Sequence, residues 1–149
     1  MVAFALIFLL FLQKGQVTKP SMIQQITRGI RVSVETKFEG SFPKENILHY
    51  GFVYTITIEN QSKDVVQLLS RHWKIIETTN NTQYINGDGV VGKKPVVKPG
   101  EMHVYKSGCL ITSPIGVMIG TYIMINFTST KKFNVDIPPF KLNIPSILN

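Results

Sequence analysis

From Gly29 onward apolar and polar residues take turns along the chain: Ile30, Val32 and Val34 fall on one parity, Arg31, Ser33, Glu35 and Lys37 on the other. A period of two predicts a strand with one face in a core and the other in water. The pattern returns with Phe52, Tyr54, Ile56 and Ile58 against Val53, Thr55, Thr57 and Glu59, closed by the turn-forming run Asn60-Gln61-Ser62-Lys63-Asp64. A third strand is expected over residues 65–78, with Leu69, Trp73 and Ile75 on its apolar parity, Arg71 between them, and a break at Thr79-Asn80-Asn81-Thr82. Trp73 is its expected core anchor. Residues 102–111, 117–127 and 133–137 are further short strand-like runs, separated by Pro114, Gly116 and the polar Thr128-Ser129-Thr130-Lys131-Lys132. Apolar residues nowhere recur at helical spacing for three turns. About seven or more short antiparallel strands with no helices between them predict an all-β sandwich.

Residues 117–127 depart from simple alternation. Met118, Gly120, Tyr122 and Met124 share one face, while Ile119, Thr121, Ile123 and Ile125 share the other, so both faces are largely apolar. One core covers only one of them. Ile119, Ile123 and Ile125 are therefore the candidate interface, for a second copy in a homodimer or for an unidentified protein partner. The competing cover is a neighbouring loop, or the C-terminal Pro145-Ser146-Ile147-Leu148, folding back within one chain.

Composition then limits what such a sandwich can be. The chain has 149 residues, enough for one domain, and is 44% hydrophobic and 17% charged, which suits a globular core rather than disorder. Of the 16 Lys and Arg residues, Lys14 and Lys19 precede Met22, so 14 basic and 9 acidic residues leave +5 for the remainder. That excess favours anions in general, names no partner, and gives no ground to expect sequence-specific nucleic-acid reading. Cys109 is the one cysteine, so no intramolecular disulfide can form and a cytoplasmic setting is expected. It lies in the apolar run Cys109-Leu110-Ile111, where a small core residue is expected rather than a reactive thiol.

Residues 2–12 form an uninterrupted apolar run of the wrong length for a membrane span. No charge precedes it and no small-residue cleavage pattern follows, so it matches a signal peptide only in part. Residues 1–21 are read as an apolar extension outside the native domain, which is expected to occupy residues 22–149.

Gly87-Asp88-Gly89-Val90-Val91-Gly92 has the Gly-x-Gly-x-x-Gly spacing of dinucleotide-binding turns. In that setting the motif opens a helix, whereas here Lys93-Lys94-Pro95-Val96-Val97-Lys98-Pro99-Gly100 follows, and its prolines and β-branched residues oppose one. A Rossmann unit is excluded on context. Gly87, Gly89, Gly92, Lys93, Lys94 and Lys98 remain a candidate anion-binding loop for a phosphate or nucleotide, weighed against a tight inter-strand loop with solvated lysines. His49, His72 and His103 show no metal-ligand spacing and the carboxylates are dispersed, so no metal, cofactor or catalytic constellation is expected.

Taken in order, Leu68-Leu69-Ser70-Arg71-His72-Trp73, Gly87-Asp88-Gly89-Val90-Val91-Gly92, Pro99-Gly100-Glu101, Tyr105-x-Ser107-Gly108 and Pro114-x-Gly116-x-Met118-x-Gly120-x-Tyr122-x-Met124 resemble the pattern of the ApaG family. Asp136-Ile137-Pro138-x-Phe140 and Ile144-Pro145 extend the resemblance to the end of the chain. It implies a fibronectin type III-like β-sandwich and a non-catalytic binding module. Bacterial members are associated with cobalt and magnesium resistance or efflux and, by gene neighbourhood, with diadenosine tetraphosphate hydrolysis; eukaryotic relatives carry the domain in F-box and polymerase-interacting proteins. With no membrane span in the chain, the resemblance implies at most an indirect role in efflux. Members usually carry polar or acidic residues where this chain has Ile123 and Asn126, so a charge-dependent surface there does not transfer.

Overall fold

Two hairpins with two-residue loops open the structure. In the computed structural model, which describes residues 21–79 and 81–145, strands β1 (Ser21–Thr27) and β2 (Ile30–Lys44) are joined by Arg28-Gly29, and β2 joins β3 (Ile47–Asn60) through Glu45-Asn46. All four loop residues have positive φ, between 48 and 78°. That geometry matches the right-handed twist of the strands it connects. The chain continues through β4 (Val66–Glu77), β5 (Thr82–Asp88), the two-residue β6 (Val96–Val97), β7 (Met102–Ile111), β8 (Ile115–Asn126) and β9 (Lys132–Asn143).

The strands form two antiparallel sheets, β1-β2-β3-β7 and β5-β4-β8-β9, with β6 pairing beside β5 along the same edge of β4. Without β1 and β6 the order is three strands against four, the arrangement of a fibronectin type III-like sandwich. The parities read from the sequence supply the core: Ile30, Val32 and Val34 of β2, Phe52, Tyr54, Ile56 and Ile58 of β3, and Met118, Tyr122 and Met124 of β8 are all buried. Trp73 is buried with them, its ring 5.7 Å from Tyr54 and 6.0 Å from Phe140 between centroids.

Two irregularities explain where simple alternation misleads. In the β4–β8 ladder Leu68 pairs with Met124 and Ser70 with Ile123, which leaves Leu69 as an extra residue in β4. This bulge resets the parity, so Leu68, not Leu69, is the buried partner of Trp73 and Ile75. In the β8–β9 ladder Met118 pairs with Phe140 and Gly120 with Ile137, so the extra residue lies in β9 at Pro138-Pro139. Proline lacks the N–H a regular ladder needs, and a bulge tolerates it. Past this point β9 continues through Phe140 and Leu142 into the core, well beyond the expected residues 133–137. Strands β1, β5 and β6 were not expected from the pattern. Ser21 already pairs with Thr36 as the first residue of β1; the rest of the apolar extension lies outside the described residues.

The turn after β3 is held by a fully buried asparagine. Asn60 donates from Nδ2 to the carbonyls of Asp64 (2.8 Å) and Val97 (2.9 Å), and its Oδ1 accepts from the Ser62 N–H (2.9 Å) and hydroxyl (2.6 Å). The side chain thus ties the turn to β6. Asn60→Ala is expected to cost about 1–3 kcal/mol, because it leaves buried polar partners unmet. Urea unfolding would show it; a loss under about 0.5 kcal/mol would mean the turn holds without this side chain.

Candidate functional site

Along one edge of β4, β5 pairs with residues 70–76 and β6 with residues 66–67, and residues 89–95 run between these two strands. Arg71 lies on the inner parity of β4, directly opposite Gly87 of β5. A Cβ there would stand 2.9 Å from Nη2 of Arg71, so any larger residue would have to displace the guanidinium. The guanidinium crosses that gap, and its Nη1 donates to the carbonyls of Asp88 (2.9 Å) and Gly89 (2.8 Å).

The rest of the glycine-rich motif follows from packing. Gly89 has φ 60°, and a Cβ on it would collide with the carbonyl oxygen of Lys93. Its N–H donates to Leu69 O (2.8 Å), the bulge residue of β4. Val90 enters the core, while its N–H bonds to Lys93 O (2.8 Å) and the Lys93 N–H returns to Val90 O (3.1 Å). Val91 and Gly92, with φ 47° and 74°, form the tip of this turn. The motif therefore begins inside strand β5 and closes the edge of the sandwich with Val90. Of the loop's lysines, Lys93 and Lys94 follow the turn, and Lys98 lies beyond β6 with its backbone N–H on the Glu101 carboxylate (3.1 Å). All three side chains are exposed. Burial, and then the charge of Lys93, hold His103 below the ordinary histidine range.

Behind Arg71 three tyrosines meet between the sheets. The hydroxyls of Tyr105 on β7 and Tyr122 on β8 share a hydrogen bond, and Tyr54 bonds to Ser107. Burial pushes Tyr54 up to about 12 and raises Tyr105 and Tyr122 too, with the Arg71 charge acting in the opposite sense. Burial, with a smaller contribution from Glu77, likewise lifts the Cys109 thiol to about 12, and its Sγ faces Met118 Sδ at 3.9 Å. These groups stay protonated at neutral pH, so none of them is a base or an ionised nucleophile there. Among the described residues no group of three or more His, Cys, Asp or Glu side chains is placed to hold a metal ion.

The candidate interface is on the outer face of β8. Ile119 is 39% exposed, and Ile123 and Ile125 are half-buried. Their ladder neighbours are polar: Lys74 beside Ile119, Ser70 and Asn134 beside Ile123, Gln67 and Lys132 beside Ile125. The structure thus sets an apolar stripe between two polar rows. Of the segment weighed as its cover, Pro145 is described and residues 146–149 lie outside the described residues.

Sequence reasoning missed β5 as a surface. Tyr84 is 69% exposed and Ile85 39%, on opposite faces of the same strand. Two neighbouring large apolar side chains in a run bounded by turn residues were the available signal.

Residues 41–126 match the family model described as the ApaG domain. The chain is 44% identical over 128 residues to Protein ApaG of Methylorubrum populi, covering 85% of this chain and 96% of the relative. To Protein ApaG of Brucella abortus it is 42% identical over 126 residues, covering 83% and 95%. Among solved structures, that described as the putative ApaA protein from Bordetella pertussis superposes with a TM-score of 0.70 at 35% identity, over 87% of this chain and 98% of that one. A structural genomics X-ray structure superposes at 0.77 with 37% identity, over 81% and 91%.

Proposed function

From the premise that this chain belongs to the ApaG domain family, we propose that it is a non-catalytic protein-interaction module of the cytoplasm, whose bearing on cobalt and magnesium resistance is indirect. The observation that carries this reading is the stripe of Ile119, Ile123 and Ile125, apolar side chains on the face of β8 turned away from the core. Covering such a stripe with a protein surface releases about 25 cal/mol per Å2 of apolar area, and the polar rows on either side suit the rim of an interface. The buried tyrosines and Cys109 supply neither a base nor a nucleophile at neutral pH. The nucleotide or polyphosphate reading of Gly87, Gly89, Gly92, Lys93, Lys94 and Lys98 gains no support from the loop backbone, because the N–H groups of Gly89, Val90 and Lys93 already serve carbonyls within the protein. Among the described residues no helix is long and apolar enough to cross a membrane.

Ile123→Asp tests the proposal. The half-buried outer position should tolerate it, so melting stays within about 2 °C of the parent. Self-association by sedimentation, or retention of a partner on the immobilised protein, should be lost. A large fall in melting temperature with association unchanged would show that the stripe is internal packing.

A further inference from the structure

The two edges of the β5-β4-β8-β9 sheet are built differently. The β9 edge carries Lys132, Lys141 and the Pro138-Pro139 bulge, devices that discourage a further strand from pairing. The β5 edge has none. Its sequence Thr-Gln-Tyr-Ile-Asn-Gly-Asp contains no proline and no lysine, its ladder to β4 runs without a register shift, and its packing is essentially confined to β4. Six of its seven residues are exposed, including Tyr84 and Ile85. A strand placed in this way offers a row of backbone donors and acceptors to an extended chain.

Two cations lean across β5 toward that row, one on each face. On the outer face Lys74 is the ladder partner of Tyr84, and its Nζ sits over the Tyr84 ring, 5.8 Å from the centroid. On the inner face Arg71 passes over Gly87 to reach the carbonyls of Asp88 and Gly89. Neither is ion-paired with a carboxylate among the described residues. The one charge on β5 itself is Asp88, at its end. The edge is therefore an exposed strand with two apolar side chains, Tyr84 and Ile85, flanked by positive charge that no described carboxylate pairs.

We infer that the β5 edge takes up an extended acidic segment of a partner protein as an added strand. The inference rests on the interaction-module reading and deepens it. Tyr84 and Gly87 are three positions apart, hence on opposite faces, as are the two cations. The segment thus carries one carboxylate opposite Tyr84 within the reach of Lys74, a second opposite Gly87 under Arg71, and an apolar residue opposite Ile85. Antiparallel addition reads acidic, any residue, apolar, acidic from its N-terminus.

The probe is the capped hexapeptide Thr-Glu-Thr-Val-Glu-Thr, titrated into the full chain and followed by amide NMR. Binding with Kd on the order of 0.1–1 mM should shift residues 83–87 together with Arg71 and Lys74. The same peptide with lysine for glutamate should shift nothing, and alternate backbone N-methylation, which keeps the charge but removes donors, should abolish binding. Lys74→Glu should weaken it about 5-fold or more with an unchanged melting temperature. No shift at about 5 mM peptide, shifts that survive N-methylation, or movement of residues 83–87 on dilution without peptide, which would mean self-pairing, each overturns the inference. If β5 fails while Ile123→Asp still abolishes association, the interaction-module reading stands; if both are silent, it falls as well.

Discussion

Trp73→Ala is expected to lower the unfolding free energy by about 3–5 kcal/mol, the range for truncating a large core aromatic. The indole contributes more than area. It meets Tyr54 and Phe140 at 5.7 and 6.0 Å and Tyr122 edge-on at 6.5 Å, so three aromatic contacts from three strands converge on it. Tyr54 comes from the opposite sheet, which makes Trp73 the side chain around which the sheets are held together. Truncation leaves a cavity that these rigid rings cannot close. Since Trp73 is the single tryptophan, the measurement is urea unfolding followed by circular dichroism rather than fluorescence. A loss below about 1.5 kcal/mol would show that the core collapses around the gap.

The second large effect is expected at Gly120. It is the ladder partner of Trp73, and the indole occupies the space a side chain would take: an added Cβ would collide with Cε3, stand 2.5 Å from Cζ3 and lie 2.8 Å from Cδ1 of Ile137. An indole fixed by three neighbouring rings cannot swing aside. Gly120→Ala is expected to cost about 2–3 kcal/mol through overpacking. The same clash is absent once the indole is gone, so the double variant with Trp73→Ala should lose less than the two single losses combined, by about 1–2 kcal/mol. Additive losses in a double-mutant cycle would place the cost of Gly120→Ala in the backbone and not in the Trp73 contact.

Strand β7 is legible from the sequence, β8 nearly to its ends, and β2 and β3 over their core-facing parts, residues 30–37 and 52–59; their extension into the hairpin across residues 38–51 shows no such alternation and was not expected. In β4 the parity slips at Leu69, and a bulge leaves no local mark on the chain that contains it; it becomes visible only against the partner residues Met124 and Ile123. Strand β5 has no alternation to read, since both of its faces are wet. The candidate site shows the same division. The order of the ApaG motifs could be recognised, but the reason for Gly87 is a guanidinium that starts 16 residues earlier on another strand, and the reason for Gly89 is a carbonyl across a turn. These are facts of cross-strand register. Spacing along one chain does not encode them.

The exposure of β5 separates two kinds of selection. A core residue such as Tyr122 is constrained by every neighbour it touches, so a change there is judged first by whether the protein still folds. Thr82, Gln83, Tyr84, Ile85 and Asn86 are exposed in a strand whose ladder is made by backbone groups, and exchanges at such positions usually stay within about 0.5 kcal/mol of neutral. Drift along this edge can therefore retune which sequences it accepts at little cost to the scaffold. Diverging copies of the domain could acquire different partners on an unchanged sandwich.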